Sequence, residues 1–331
     1  MRPALLDILV CPDCPGDIRP ALSAVEREGD DIVTGGLTCP ACERSWPIRD
    51  GIPRFVDDAE DYGGNFAHEW QRWGRVQIDR FSQHRLSTTR FLADSRWDPE
   101  WLRGKLILDA GCGAGRFSDV AATLGARVIA VDLSGAVSAA KANTRDHGEA
   151  VEVVQASLFR LPLRADAFDG IFCMGVIQHT PDPARIMQRL PAHLKAGGRL
   201  VYNFYETDWR TRLQPIKYAL RLVTPYLSNA ANERLSLTLV LAFFPLSWLL
   251  SHVRFVRIIN VMLPICAVHN RELTMAQQFR WTLLDTFDWY SPRYEIRQSH
   301  QRIAALLREL GLAQVESRPG LAWAIKPLPR G

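Results

Sequence analysis

The 331-residue chain has room for one large domain with appendages, and its 47% apolar residues supply a proper core. Forty basic residues face 36 acidic ones, and the resulting net charge of +4 lacks the basic excess of a protein that lives on nucleic acid. The N-terminal stretch lacks the length and charge order of a signal peptide, and the seven cysteines do not form a disulfide pattern. Four of them make two Cys-x-x-Cys pairs, while Cys112, Cys173 and Cys266 sit in apolar runs, so a cytoplasmic chain is expected.

Residues 1–57 read as a separate unit. Cys11-Pro-Asp-Cys14 and Cys39-Pro-Ala-Cys42 flank a stretch that alternates like a hairpin. Two such knuckles can present four thiolates tetrahedrally to one Zn²⁺, and a segment with so little apolar mass needs a staple of that kind. A redox pair is the competing use of the same spacing. The unit carries six arginines, no lysine and ten acids, a net −4 that makes it a poor phosphate binder. Its flanking text, Leu5 to Cys14 and Leu37 to Phe55, resembles the small zinc-ribbon activator of tRNA and protein methyltransferases and its short bacterial relatives. The resemblance implies a module that stabilises a catalytic partner by covering apolar surface, here fused to that partner.

Residues 58–100 open with an acidic, glycine-containing linker and continue as a helical pattern bearing Phe66, Trp70 and Trp73. These are expected to be capping helices over the site that follows. Tyr62 and Trp70 are the aromatics best suited to touch a cationic ligand there. The competing reading makes all of them core residues at helical spacing.

The most informative stretch lies within residues 101–205. Ile107-Leu-Asp-Ala-Gly-Cys-Gly-Ala-Gly follows an apolar run and precedes a helical pattern starting near Phe117, so Gly111, Gly113 and Gly115 mark a tight strand-to-helix turn that a ligand can approach closely. A second apolar run ends in Asp132, placed to accept hydrogen bonds from ribose hydroxyls. A dinucleotide site usually reads Gly-x-Gly-x-x-Gly, whereas this run is Gly-x-Gly-x-Gly with Asp109 in front, which suits a cationic ligand better than a phosphate. The run resembles the first motif of class I S-adenosylmethionine (SAM) methyltransferases. Three further segments continue the likeness: Gln155 to Leu163, Ala167 to Pro183 and Leu194 to Asn203. The resemblance implies a Rossmann-like α/β fold with a seven-stranded methyltransferase sheet, preceded by the zinc ribbon. It also implies that Asp109, Gly111, Gly113, Gly115, Asp132 and Leu133 hold SAM, with Ser157 and Leu158 near the adenine and Gln178 lining the pocket. Ser157 stands where the family often has Asp.

Residues 206–298 form an insertion after strand five, expected to be mainly helical and to serve as an acceptor lid. Within it, the sixteen-residue apolar run from Leu235 to Leu250 contains Pro245 and falls short of a bilayer span, so no transmembrane segment is expected. The run reads as a buried helix, with an apolar acceptor tunnel or interfacial membrane contact as alternatives. Arg210, Lys217 and Arg221 can share one face, either solvated or engaging lipid head groups or a phosphorylated acceptor. Residues 285–295, dense in aromatics and hydrogen-bonding groups, are expected to face the acceptor. Residues 299–331 complete the core, with a helix from Arg302 stopped by Gly311 and two closing strands.

His179, in Ile-Gln-His-Thr-Pro after strand four, is the candidate general base, because imidazole titrates near neutrality. Its competing role is to shape the pocket, and His269, Tyr290 and Tyr294 are further candidates. The chain is thus expected to methylate an O or N atom of a small-molecule or lipid-like acceptor. An RNA methyltransferase and a catalytically silent scaffold are the alternatives.

Overall fold

A computed structural model describes residues 1–56, 64–207, 213–253 and 257–329. Four strands come first: β1 (Ala21–Glu28), β2 (Asp31–Thr38), β3 (Ser45–Arg49) and β4 (Ile52–Phe55). They form an antiparallel meander. Four helices follow, α1 (Gly64–Trp73), α2 (Asp79–Ser82), α3 (Leu86–Ser95) and α4 (Pro99–Leu102). The core then alternates as β5 (Leu106–Ala110), α5 (Arg116–Thr123), β6 (Arg127–Asp132), α6 (Val137–Thr144), β7 (Val151–Ala156), β8 (Phe168–Met174), α7 (Pro183–Arg189) and β9 (Leu194–Asn203).

The insertion contributes α8 (Pro215–Leu220), α9 (Asn229–Ser251) and α10 (Met275–Tyr290), and the chain closes with α11 (His300–Glu309), β10 (Ala313–Arg318) and β11 (Leu321–Ile325). A bridge between Glu206 and Gln298 pinches the neck of the insertion.

The expected seven strands are present in the order β7-β6-β5-β8-β9-β11-β10, but the sheet does not end there. It holds eleven strands, because β4 pairs in parallel with β7 and carries β3, β2 and β1 beyond it. A hydrogen-bonding edge that the sequence pattern leaves open is thus filled by the chain's own ribbon. The central strands are buried on both faces and are correspondingly apolar for most of their length, as in β7 and β8, with Glu152, Gln155 and Asp169 as polar exceptions. On one face pack Phe91, Leu102, Val120 and Val137 from α3 to α6. On the other lie Ile186 of α7, Leu307 of α11 and the ribbon's own Leu5 and Leu9. Strand order reverses between β5 and β8, the position where open α/β sheets form a ligand crevice at the carboxyl ends of their strands.

The apolar run of the insertion departs from expectation. It belongs to a 23-residue helix rather than a sixteen-residue one, long and apolar enough by length and composition to cross a membrane, and most of it is not buried. Its buried stripe is Asn232, Ser236, Val240, Phe244 and Ser247, while Leu241 and Leu249 are each 59% exposed. The inward stripe of α9 is therefore polar at three of its five positions, while leucines face outward. The basic residues before it also behave differently from either expected role. Lys217 is buried in a 3.0 Å ion pair with Glu295, and Arg221 turns inward to the Trp289 and Pro292 carbonyls. Arg210 and Tyr62 lie outside the described residues.

Candidate active site

At the strand-order reversal, the loops after β5 and β8 face each other so closely that only glycine fits at position 111. Gly111 has φ +90°, and a Cβ there would lie 2.4 Å from the Val176 side chain. The amides of Gly111 and Cys112 both donate to the Val131 carbonyl, which ties the loop to the end of β6. There Asp132 accepts from the Gly113 amide at 2.9 Å and from the Ser134 amide and hydroxyl at 2.8 and 2.7 Å. Asp109 lies beneath the loop, receives a 2.6 Å bond from Ser118 and is pushed up to about 7 by burial.

A cavity of about 280 Å³ opens over this loop. Gly111, Gly113, Asp132, Leu133 and Leu158 line it and define what we term its cofactor end, while His179 lines it together with the groups that define its acceptor end. Trp70 of α1 lies across Gly113, where a Cβ would come within 2.9 Å of the indole nitrogen. Asp109, Gly115, Ser157 and Gln178 are not part of the cavity wall. Gly115 instead caps α5 with φ +81°, and the Ser157 hydroxyl accepts from the Phe159 amide. The Gln178 side chain is fully buried without a hydrogen-bond partner.

His179 is held on three sides. Nδ1 lies 3.1 Å from the Tyr294 carbonyl, so that nitrogen carries the proton and donates. The rings of Phe66 and Tyr205 pack at 5.5 and 5.4 Å. Nε2 faces the cavity 4.0 Å from Asp288, which in turn accepts from the Tyr205 hydroxyl at 3.4 Å. Tyr290 points instead to the Pro264 carbonyl, and His269 is engaged by Ser247 of α9. Glu69, Asp285 and Asp288 complete this end. Burial, followed by Asp288, pushes Asp285 up to about 7, and burial with both aspartates holds Glu69 well above the usual carboxylate range. Asp285 and Asp288 belong to the 285–295 segment picked out in the sequence. Glu69 was missed, although it interrupts an apolar helical stripe between Phe66 and Trp73.

In the ribbon, the four cysteine sulfurs lie within 4.8 Å of one another, with Cys11–Cys42 at 3.7 Å and Cys14–Cys39 at 3.8 Å. A tetrahedral zinc site with bonds of about 2.3 Å has a sulfur–sulfur edge of about 3.8 Å, so the arrangement fits that ion. The ribbon also reaches the cavity wall. Arg54 of β4 donates to Gln155 at 2.6 Å, and Gln155 donates to the Leu133 carbonyl at 2.9 Å, next to Asp132.

Residues 108–202 match the methyltransferase domain family, and residues 2–51 match the Trm112p-like protein family. The two matches fall on the glycine-loop core and on the ribbon that holds the cysteine cluster. Among curated proteins it is 34% identical over 161 residues to a ubiquinone biosynthesis O-methyltransferase of Xanthomonas axonopodis, covering 48% of this chain and 64% of the relative. It is 33% identical over 116 residues to the Coxiella burnetii protein of the same name, covering 35% and 50%. The chain thus spans about half to two thirds of the length of these relatives. A solved magnesium protoporphyrin IX methyltransferase from Synechocystis, with bound SAH, is 15% identical, covering 81% of this chain and 98% of that one, at a TM-score of 0.45.

Proposed function

We propose that the chain is a SAM-dependent methyltransferase acting on an oxygen atom of a small-molecule acceptor, with zinc held by Cys11, Cys14, Cys39 and Cys42 as a structural ion. The observation that carries this reading is the cavity at the β5/β8 reversal, which has the glycine loop and Asp132 at one end and an oriented imidazole at the other. The O-methyltransferase names of the curated relatives support oxygen as the acceptor atom.

SAM, when bound, supplies an electrophilic methyl group. Asp132 would accept from the ribose hydroxyls and Leu133 and Leu158 would border the adenine, with the glycine loop letting the backbone come close. His179 Nε2 is placed to take the proton of the acceptor hydroxyl and Asp288 to stabilise the resulting imidazolium, while the methyl group that bound SAM would supply passes to that oxygen as its bond to sulfur breaks and SAH is left behind. Trp70 and Phe66 on α1 exclude water from the reacting groups.

The outward leucine face of α9 supports a lipid-like acceptor met at a membrane surface. Leu222, Val223 and Tyr226, the last 80% exposed, extend the apolar surface of the insertion beside it.

The test supplies methyl-labelled SAM and the purified chain to a lysate lacking the gene, then follows the label through RNA, lipid and small polar fractions. Label in the lipid or small-molecule fraction is the expected result. Label in RNA, or none anywhere, overturns the reading.

A further inference from the structure

The acceptor end of the cavity is unevenly charged. Asp285 and Asp288 stand three residues apart on α10 and so face the same side. Glu69 of α1 lines the same wall, is only 1% exposed, and has neither carboxylate oxygen hydrogen-bonded. Among the described residues, no lysine or arginine nitrogen lies within 4.0 Å of these three carboxylates; the ring nitrogen at that distance is His179 Nε2, beside Asp288. The two guanidiniums that border the cavity act on Asp285 only at longer range and make their hydrogen bonds elsewhere. Arg116 donates to Ser87 and Gln77, both at 2.9 Å, and lies over the Phe117 and Trp281 rings. Arg90 donates to Asp94 and Asn203. Asp285 accepts a neutral amide hydrogen from Gln77 at 3.1 Å, and Asp288 the long bond from Tyr205.

The remaining walls are aromatic: Phe66, Trp70, Tyr205, Trp281 and Trp289. Three clustered carboxyl groups without a lysine or arginine ion pair within 4.0 Å, set among aromatic faces, form an environment that attracts a cation and repels an anion. An approaching carboxylate or phosphate would add a like charge to a cluster whose burial and mutual repulsion already hold Glu69 and Asp285 toward their protonated forms, whereas a cation favours their ionised forms. Metal binding does not account for the group. Among the described residues, only the ribbon cysteines close to metal-ligating distances.

We infer that the acceptor carries a protonated amine, distinct from the methylated oxygen, held by Glu69, Asp285 and Asp288 between the aromatic walls. The inference rests on the methyltransferase reading for calling the guest an acceptor, whereas the charge preference of the cavity can be measured without it. The ammonium donates to the carboxylates and meets aromatic faces, while the hydroxyl to be methylated lies toward His179.

The test titrates the full chain, alone and loaded with SAH, with phenethylamine and with 3-phenylpropionate, which have similar size and opposite charge. Binding of the amine at least about tenfold tighter than the acid is expected, in keeping with one partly desolvated cation–aromatic or ion-pair contact. In Asp288→Asn, and separately in Asp285→Asn, that preference should fall below about threefold, a difference of roughly 0.7 kcal/mol. An equal or stronger hold on the acid overturns the inference, as does a wild-type chain that does not bind the amine at millimolar concentration. So does an amine preference that survives both substitutions. Failure of the methyltransferase reading gives a different result: SAH does not bind, while the amine-to-acid ratio is still measured on the chain alone.

Discussion

The two ends of the cavity are built on different plans. The cofactor end comes from consecutive motif residues on rigid parallel strands: Gly111 and Gly113 after β5, Asp132 at the end of β6 and Leu158 shortly after β7. The acceptor end is assembled from Glu69 on α1, His179 after β8, Tyr205 after β9, and Asp285 and Asp288 on α10, which are separated by more than two hundred residues in the chain. The first end is fixed by backbone geometry that only certain residues tolerate. The second depends on how the insertion packs against α1. A fold can therefore keep one ligand while changing the other, because chemistry at the acceptor end is altered by substituting the lid alone.

Perturbing each end, and the ribbon that braces the first, sharpens this contrast. The largest effect should follow metal removal. A structural zinc contributes on the order of 10 kcal/mol to small metal-dependent folds, so Cys39→Ser or a strong chelator should unfold the ribbon. Because β4 is a strand of the central sheet and Arg54 reaches Leu133 through Gln155, SAH affinity should fall with it. Calorimetric unfolding that still shows a single transition at the original temperature would mean that the ribbon and core do not share their stability.

Next comes His179→Asn, which should lower kcat by about 10² to 10⁴ with SAH binding retained. Loss of KM alone would demote His179 to a shaping role.

A smaller effect concerns pH. Asp109 and Asp285 are both held up to about 7, so between about pH 4 and 7 the folded chain binds protons that the unfolded chain has released. Their contribution to stability is therefore fully present at the acid end of that window and is lost as pH rises through 7. The slope is at most about 1.4 kcal/mol per pH unit for each group. Denaturant unfolding at pH 5 and 8 should show this decline, and Asp109→Asn should flatten it.

The smallest effect on folding is expected on α9. Leu241→Ser with Leu249→Ser, both at exposed positions, should change stability by less than about 1 kcal/mol while abolishing flotation with phosphatidylcholine vesicles. Unaltered flotation would remove the lipid surface from the proposal.

The same contrast explains what could be read from the residues alone. Glycine spacing, the acid at 132 and the two cysteine knuckles are local patterns with local causes, and the strand order they imply is present within the sheet. The joining of ribbon to sheet was hidden because pairing of β4 with β7 involves partners about a hundred residues apart. The exposure of α9 was hidden for another reason. A run rich in leucine reads alike whether its apolar side faces a core or the outside, and only packing of Asn232, Ser236 and Ser247 inward reveals the difference. Lys217 illustrates a third limit, since its buried partner Glu295 lies far beyond the reach of helical spacing.

The most direct test of the two-ended cavity is calorimetric titration of SAH into the wild-type chain, Asp132→Ala and Asp288→Asn. Loss of a charged hydrogen-bond acceptor costs about 1.5–3 kcal/mol, so Asp132→Ala should weaken SAH binding roughly tenfold to a hundredfold, with Asp288→Asn within about threefold of wild type. Equal losses in both variants, or loss only in Asp288→Asn, would contradict the division of the cavity into a cofactor end and an acceptor end.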